Sequence, residues 1–275
     1  MKLPLVLLAA LASLGAAPAP DWRPLDLENA LVVETTKGRI VVEMRPEFAP
    51  QAVARVKRLA REGVYDGLQF HRVIEGFVDQ TGNPNNKDGG TSVHPDLPPE
   101  FSFRLKGPQA LVANRSDGVE GFVGATPFAG ASASEAFAGA SASETARSPD
   151  GSLRAWGAYC AGVVGMGRQA DPGTANSEIF FMRNSARRLD HEYAVWGRVV
   201  QGLDVVRAVK VGEPPANPDL MTRVRVAADL PAAERPRLQI MDERGPAFRA
   251  LVATLKARKG ADFSVCDVAI PTLAK

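Results

Sequence analysis

The chain is poor in cysteine, histidine and aromatic residues, and its charge is nearly balanced. Two cysteines in 275 residues exclude a disulfide-dense scaffold and a zinc site built from four thiolates. The three histidines, His71, His94 and His191, show no ligand-like spacing, so no metal and no other cofactor is expected. Lys plus Arg is 33 and Asp plus Glu is 31, a net charge of +2. That removes the electrostatic case for nucleic acid or an anionic membrane as the main partner. Aromatic residues make up only 7%, against 25 Gly and 21 Pro, which favours turns and loops over long helices. No G-x-S-x-G elbow occurs, so a serine hydrolase has no support. Gly162-Val-Val-Gly-Met-Gly167 is glycine-rich but is followed by no helix, so it is not read as a dinucleotide loop.

What is present is an ordinary globular composition, with 45% hydrophobic and 23% charged residues. It suffices for one or two domains with a real core. Met1-Lys2 precedes an apolar run, Leu3 to Leu14, and then small residues to Pro20. A spanning helix needs about 20 apolar residues, so this run is too short. Residues 1–19 read as a signal peptide, which places the mature chain in the periplasm or outside the cell. The other reading is an N-terminal core helix or anchor. Export would let Cys160 and Cys266 pair across about 105 residues; two buried free thiols are the alternative.

Leu31-Val-Val-Glu-Thr-Thr36 and Arg39-Ile-Val-Val-Glu-Met44 flank Lys37-Gly38 and read as a hairpin. Residues 50–62 read as a helix, started by Pro50, ended by Gly63, with Val53, Val56, Leu59 and Ala60 on one face and a solvated Arg/Lys face. Gln69–Ile74 and Phe77–Gln80 read as strands. Later strands are expected at Ala161–Met166, Ile179–Met182, Tyr193–Val200 and Met221–Ala227, and helices at 203–209 and 248–259. Residues 21–30 read as a mature N-terminal tail. Between them, residues 102–156 look irregular. They hold a nine-residue tandem repeat, Phe128–Glu135 and Phe137–Glu144, read as an Ala/Ser-rich loop insertion, mobile or weakly helical, or else as a lid. Residues 229–275 form a C-terminal extension that either docks a partner or packs on the domain.

The segment Tyr65-Asp-Gly-Leu-Gln-Phe-His-Arg-Val-Ile-Glu-Gly-Phe-Val-Asp-Gln-Thr-Gly-Asn-Pro84 resembles the signature of cyclophilin-type peptidyl-prolyl cis–trans isomerases. A second block resembles the family's later half: Gly165-Met-Gly-Arg168, Asn176-Ser-Glu-Ile-Phe-Phe-Met182, Leu189-Asp190 and Ala194-Val-Trp-Gly-Arg-Val199. The resemblance spans residues 29–228. It implies a mainly β fold, a closed eight-stranded antiparallel barrel capped by two helices, here with the insertion and the extension. It implies a monomer acting on proline-containing polypeptides without a cofactor. Arg72 matches the catalytic arginine. Phe77, Val78, Phe180 and Leu189 match the proline pocket, and Gln80 matches the glutamine that positions the arginine. Because Phe77 and Val78 are consecutive, a core role for one of them is an alternative. His71 lies beside the groove, as a contact or a structural residue. Gly167, Arg168, Glu178 and Tyr193 complete the set. Arg168 stands where asparagine is usual, Glu178 where glutamine is, Tyr193 where histidine is, and Arg188 where a tryptophan associated with cyclosporin binding is. Weak cyclosporin sensitivity follows. A proline-binding chaperone module with little turnover is the competing reading.

Overall fold

The computed structural model describes residues 21–115, 118–131 and 151–274. The expected signal peptide and the second repeat copy lie outside these residues. Among the described residues no helix is long and apolar enough to cross a membrane.

The expected hairpin forms from β2 (Ala30–Thr35) and β3 (Gly38–Met44), and both strands bury nearly their whole length. They lie inside a nine-stranded sheet ordered β4-β15-β2-β3-β14-β12-β13-β6-β5. The further members are β4 (Leu68–Gln69), β5 (Arg72–Val73), β6 (Val78–Thr81), β12 (Val163–Met166), β13 (Ile179–Met182), β14 (Val195–Gln201) and β15 (Leu220–Val226). The strand expected at 69–74 is broken at Phe70-His71: β4 pairs with β15, and β5 pairs with β6. The two edges of the sheet are therefore consecutive in the chain, which curls the sheet on itself. This break accounts for nine strands where eight were expected.

The concave core holds Leu31, Val33, Ile40, Phe70, Phe181 and Trp196. Helix α1 (Pro50–Arg61) lies against it with Val53, Val56, Leu59 and Ala60 buried, as the spacing predicts. Pro50 occupies the first turn, and Ala49 offers no side-chain cap. The Glu100 carboxylate instead accepts from the Gln51 and Ala52 amides at 3.0 and 2.9 Å. It meets the orphan donors and the positive end of the helix dipole from a distant segment. The basic face is not uniformly solvated. Arg55 is buried and donates to the Pro95 and Asn176 carbonyls at 2.7 and 3.2 Å. Helix α2 (Leu203–Ala208) packs on β3.

The described part of the insertion is not a loop. It builds a five-stranded sheet ordered β7-β11-β10-β9-β8 from β7 (Phe103–Leu105), β8 (Ala110–Arg115), β9 (Gly118–Val123), β10 (Thr126–Ala131) and β11 (Leu153–Gly157). The start of the first repeat copy, Phe128 to Ala131, is strand β10 with Phe128 fully buried. These strands are rich in Gly and Ala because neighbours come close. A Cβ on Gly121 would meet the Ala110 carbonyl at 2.6 Å and the Phe128 ring at 2.8 Å. The N-terminal tail at 21–30 adds a strand to a third sheet. There β1 (Trp22–Pro24) pairs with β16 (Leu238–Met241), which pairs with β17 (Thr272–Ala274).

The extension packs on the domain. Its helix α3 (Pro246–Lys259) sets Phe248 edge-on to Phe122 at 5.6 Å. Cys160 and Cys266 form a disulfide with their Cα atoms 5.0 Å apart. Insertion, extension and the outer face of the curled sheet share one core that includes Phe122, Phe128, Tyr159, Phe180 and Phe263.

Candidate active site

The cross-strand registers place the motif residues in one row. Arg72 on β5 opposes Gln80 on β6, Gln80 opposes Phe180 on β13, and Phe180 opposes Gly165 on β12. Directly opposed residues share a face of the sheet, so Arg72, Gln80 and Phe180 all present on the same side. Gly165 leaves the space for this arrangement. A Cβ there would sit 2.4 Å from the Phe180 ring and 2.6 Å from the Tyr159 hydroxyl.

Arg72, Phe77, Val78, Gln80, Gly167, Arg168, Glu178, Phe180, Leu189 and Tyr193 line one open cleft. One wall is apolar. Phe180 stacks on Tyr159 at 5.7 Å and meets Tyr193 edge-on at 5.6 Å. Leu189 closes a single 3-10 turn, Arg187–Leu189. Phe77 and Val78 both reach the cleft although they are consecutive. Phe77 lies in the turn before β6, its amide donating to the Ile74 carbonyl at 3.0 Å, so strand alternation does not apply to it. Val78 serves the second core as well. Arg188 lies over the Phe77 ring at 4.4 Å, a cation–π distance. Arg168 lies over Tyr193 at 4.6 Å and donates to the carbonyls of Gln169, Ala170 and Glu192 at 2.9, 3.2 and 3.0 Å.

The other wall is a polar chain. Arg72 donates from Nε to Glu213 at 2.7 Å and from Nη1 to the Gln80 side-chain oxygen. Gln80 Nε2 donates to Glu178 at 2.8 Å, and Asn83 Nδ2 donates to the other Glu178 oxygen at 2.6 Å. An ionised carboxylate only accepts, so Glu178 forces the Gln80 amide to turn its oxygen toward Arg72. Burial pushes the Glu178 carboxyl above its ordinary range, opposed by the Asn83 and Gln80 hydrogen bonds. Among the described residues, the Nη2 nitrogen of Arg72 makes no protein hydrogen bond.

His71 does not line the cleft. It is buried beneath, with Nε2 3.8 Å from Glu178 and neither ring nitrogen hydrogen-bonded. Burial draws its pKa below the usual histidine value, with Arg72 adding to the effect and Asp88 opposing it. The sequence reading missed two residues of the polar wall. Asn83 lies inside the first motif block, where its position alone marked it. Glu213 precedes Pro214-Pro215 on a distant loop and carries no pattern.

The model of the cyclophilin type peptidyl-prolyl cis-trans isomerase/CLD family matches residues 30–227. The chain belongs to this family. It is thereby an enzyme of the peptidyl-prolyl cis–trans isomerase class, with the mainly β cyclophilin fold. A probable peptidyl-prolyl cis-trans isomerase of Brucella suis is 30% identical over 237 residues, covering 80% of this chain and 94% of that protein. A peptidyl-prolyl cis-trans isomerase of Helicobacter pylori is 48% identical over 62 residues, which is 22% of this chain and 38% of its own. The crystal structure of the cyclophilin AquaCyp293 from Hirschia baltica matches with a TM-score of 0.80 at 33% identity, covering 92% of both chains. That coverage runs beyond the residues the family model matches, into the extension.

Proposed function

We propose that this cyclophilin accelerates rotation about X–Pro bonds during the folding of exported proteins, with Arg72 stabilising the twisted amide. Amide resonance sets a barrier of about 18–20 kcal/mol, and no bond has to break. In the twisted state the proline nitrogen regains a lone pair and accepts a hydrogen bond. A guanidinium held at Nε and Nη1 keeps Nη2 as a fixed, always charged donor. An interaction made only by the twisted state lowers the barrier, whereas one made equally by the ground state does not. The apolar wall of Phe77, Val78, Phe180 and Leu189 suits a proline ring, beside the donor it has to face. Arg188 over Phe77, where a tryptophan would stand, supports weak cyclosporin affinity. The leader-like N-terminus and the Cys160–Cys266 disulfide support an exported, periplasmic or secreted, protein.

The observation that carries this reading is the meeting of Arg72 and nine further residues of the family pattern in one cleft. A protease-coupled or NMR exchange assay on an Ala-Pro peptide tests it. Arg72→Ala should lower kcat/KM about a hundredfold, as loss of a fixed transition-state donor does. Equal rates for the two proteins would overturn the role of Arg72. Binding of the peptide without accelerated exchange in the wild type would instead mark a proline-binding module.

A further inference from the structure

We propose that His71, Asp88 and Glu178 form a binding site for a divalent first-row transition cation, coupled to the cleft through Gln80. One ligand atom from each residue lies within 4.8 Å of the other two. The three are remote in sequence, so no motif spacing announces them.

His71 supplies an independent indication. Its side chain is only 3% exposed, Nε2 points at Glu178 Oε2 from 3.8 Å, and both ring nitrogens lack a hydrogen-bond partner. Buried polar atoms are nearly always paired, so an unpaired imidazole facing a carboxylate asks for something between them. Glu178 is the second ligand, and it stands where the family signature carries a glutamine, which would be a far poorer one. Asp88 reaches in from an exposed loop and repels Glu178. A cation would satisfy the imidazole and neutralise the two carboxylates.

The donor set chooses the metal class. One imidazole nitrogen with two carboxylate oxygens suits zinc, cobalt or manganese, whereas magnesium and calcium prefer oxygen alone. Metal–ligand distances of about 2.0–2.2 Å place donors roughly 3–3.5 Å apart. The ligand atoms stand 3.8 Å apart for His71 and Glu178 and within 4.8 Å for the other pairs, so closing on a cation needs small inward shifts of these side chains. Open positions on the metal would be filled by water. Glu178 Oε1 receives Gln80, and Gln80 holds Arg72. A cation drawing Glu178 toward His71 therefore loosens the arginine. This coupling rests on the isomerase reading; the binding does not.

The full chain, stripped with a chelator, is titrated with Zn2+ by calorimetry and with Co2+ by visible absorption. Saturable Zn2+ binding with one site and Co2+ ligand-field bands are expected. Asp88→Asn should weaken Zn2+ binding at least about tenfold while leaving the metal-free isomerisation rate unchanged. Glu178→Gln should also lose binding, and His94→Asn should keep it, since His94 is paired elsewhere with Glu62 at 2.7 Å. Absence of saturable binding to the wild type would overturn the site, and so would equal affinity for Asp88→Asn. Zn2+ should slow the wild type and spare Asp88→Asn. Full occupancy with an unchanged rate would overturn the coupling alone. If the wild type catalysed no exchange at all, the calorimetry would still decide the site.

Discussion

The curled sheet and the second sheet are built from different kinds of strand. β2 and β3 carry β-branched runs, and their side chains bury against each other and against α1. β9 and β10 read Gly-Val-Glu-Gly-Phe-Val and Thr-Pro-Phe-Ala-Gly-Ala, in which five of twelve residues are Gly or Ala. Large residues of this sheet meet partners outside it. Phe122 meets Phe248 of α3, and Phe48, just before α1, stacks on Phe103 of β7 at 4.1 Å. A strand that buries its own apolar run announces itself locally. A strand whose small residues make room for distant partners does not, because the partners are what make it a strand. The second sheet is therefore structure, although its sequence looks like filler.

That contrast can be broken by mutation, and the largest expected effect is in the region that looked dispensable. Phe128→Ala should lower stability by about 3–5 kcal/mol, as expected for a fully buried phenylalanine. A tolerant loop residue would change it by less than about 0.5 kcal/mol. Urea denaturation separates these outcomes, and the smaller one would return the insertion to a loop. Next comes Cys266→Ser, which frees the extension from β12's entry. A cross-link over 106 residues predicts a loss of about 2–4 kcal/mol. Equal midpoints for this variant and the wild type would show that apolar packing alone holds the extension.

Glu120→Ala is expected to fall below both, at about 1–3 kcal/mol. Its buried carboxylate accepts from Arg187 at 2.7 Å and from the Val265 amide at 3.1 Å. One side chain on β9 thus ties the insertion to the extension and to the 3-10 turn that carries Leu189. The KM for an Ala-Pro peptide should rise as well, because Leu189 lines the cleft. An unchanged KM with reduced stability would show that the second sheet stabilises the cleft without shaping it.

The cleft was far more legible than the fold around it, for a chemical reason. Arg72, Phe77, Val78 and Gln80 fall within nine consecutive residues, and Phe180 and Glu178 within a second short block, so fixed spacing marked them. The hairpin and α1 were legible from β-branched runs and from the recurrence of Val53, Val56 and Leu59. Glu213 was not, because a lone acid beside two prolines resembles any surface turn. The break between β4 and β5 was hidden inside a segment that mixes apolar and polar residues as one strand does, since Phe70 packs into the concave core and leaves that pattern intact. His71 was read from the family match as lying beside the groove, as a contact or a structural residue. His71 falls in the break between β4 and β5, where strand alternation does not hold, and lies buried 3.8 Å from Glu178, outside the lining of the cleft.

The smallest effect concerns the joint between the two regions. Asp190 accepts from the Tyr159 amide at 2.9 Å and from Arg187 Nε at 2.6 Å. Burial raises its carboxyl above the ordinary aspartate value, and Arg187 and the Tyr159 amide only partly offset this. A carboxyl raised on folding contributes stability in its protonated form. That contribution is complete below the unfolded value and is lost as pH rises through the folded one. The Asp190 contribution should therefore be lost as pH is raised above about 4, over the window between those two values. Asp190→Asn keeps an oxygen for the Tyr159 amide and has no proton to lose, so its stability should change less over the same window. Urea midpoints collected across that range provide the measurement. Parallel profiles for the two proteins would mean that the Arg187 ion pair outweighs burial. The joint would then behave as an ordinary exposed salt bridge and would not be part of the core shared by insertion, extension and cleft.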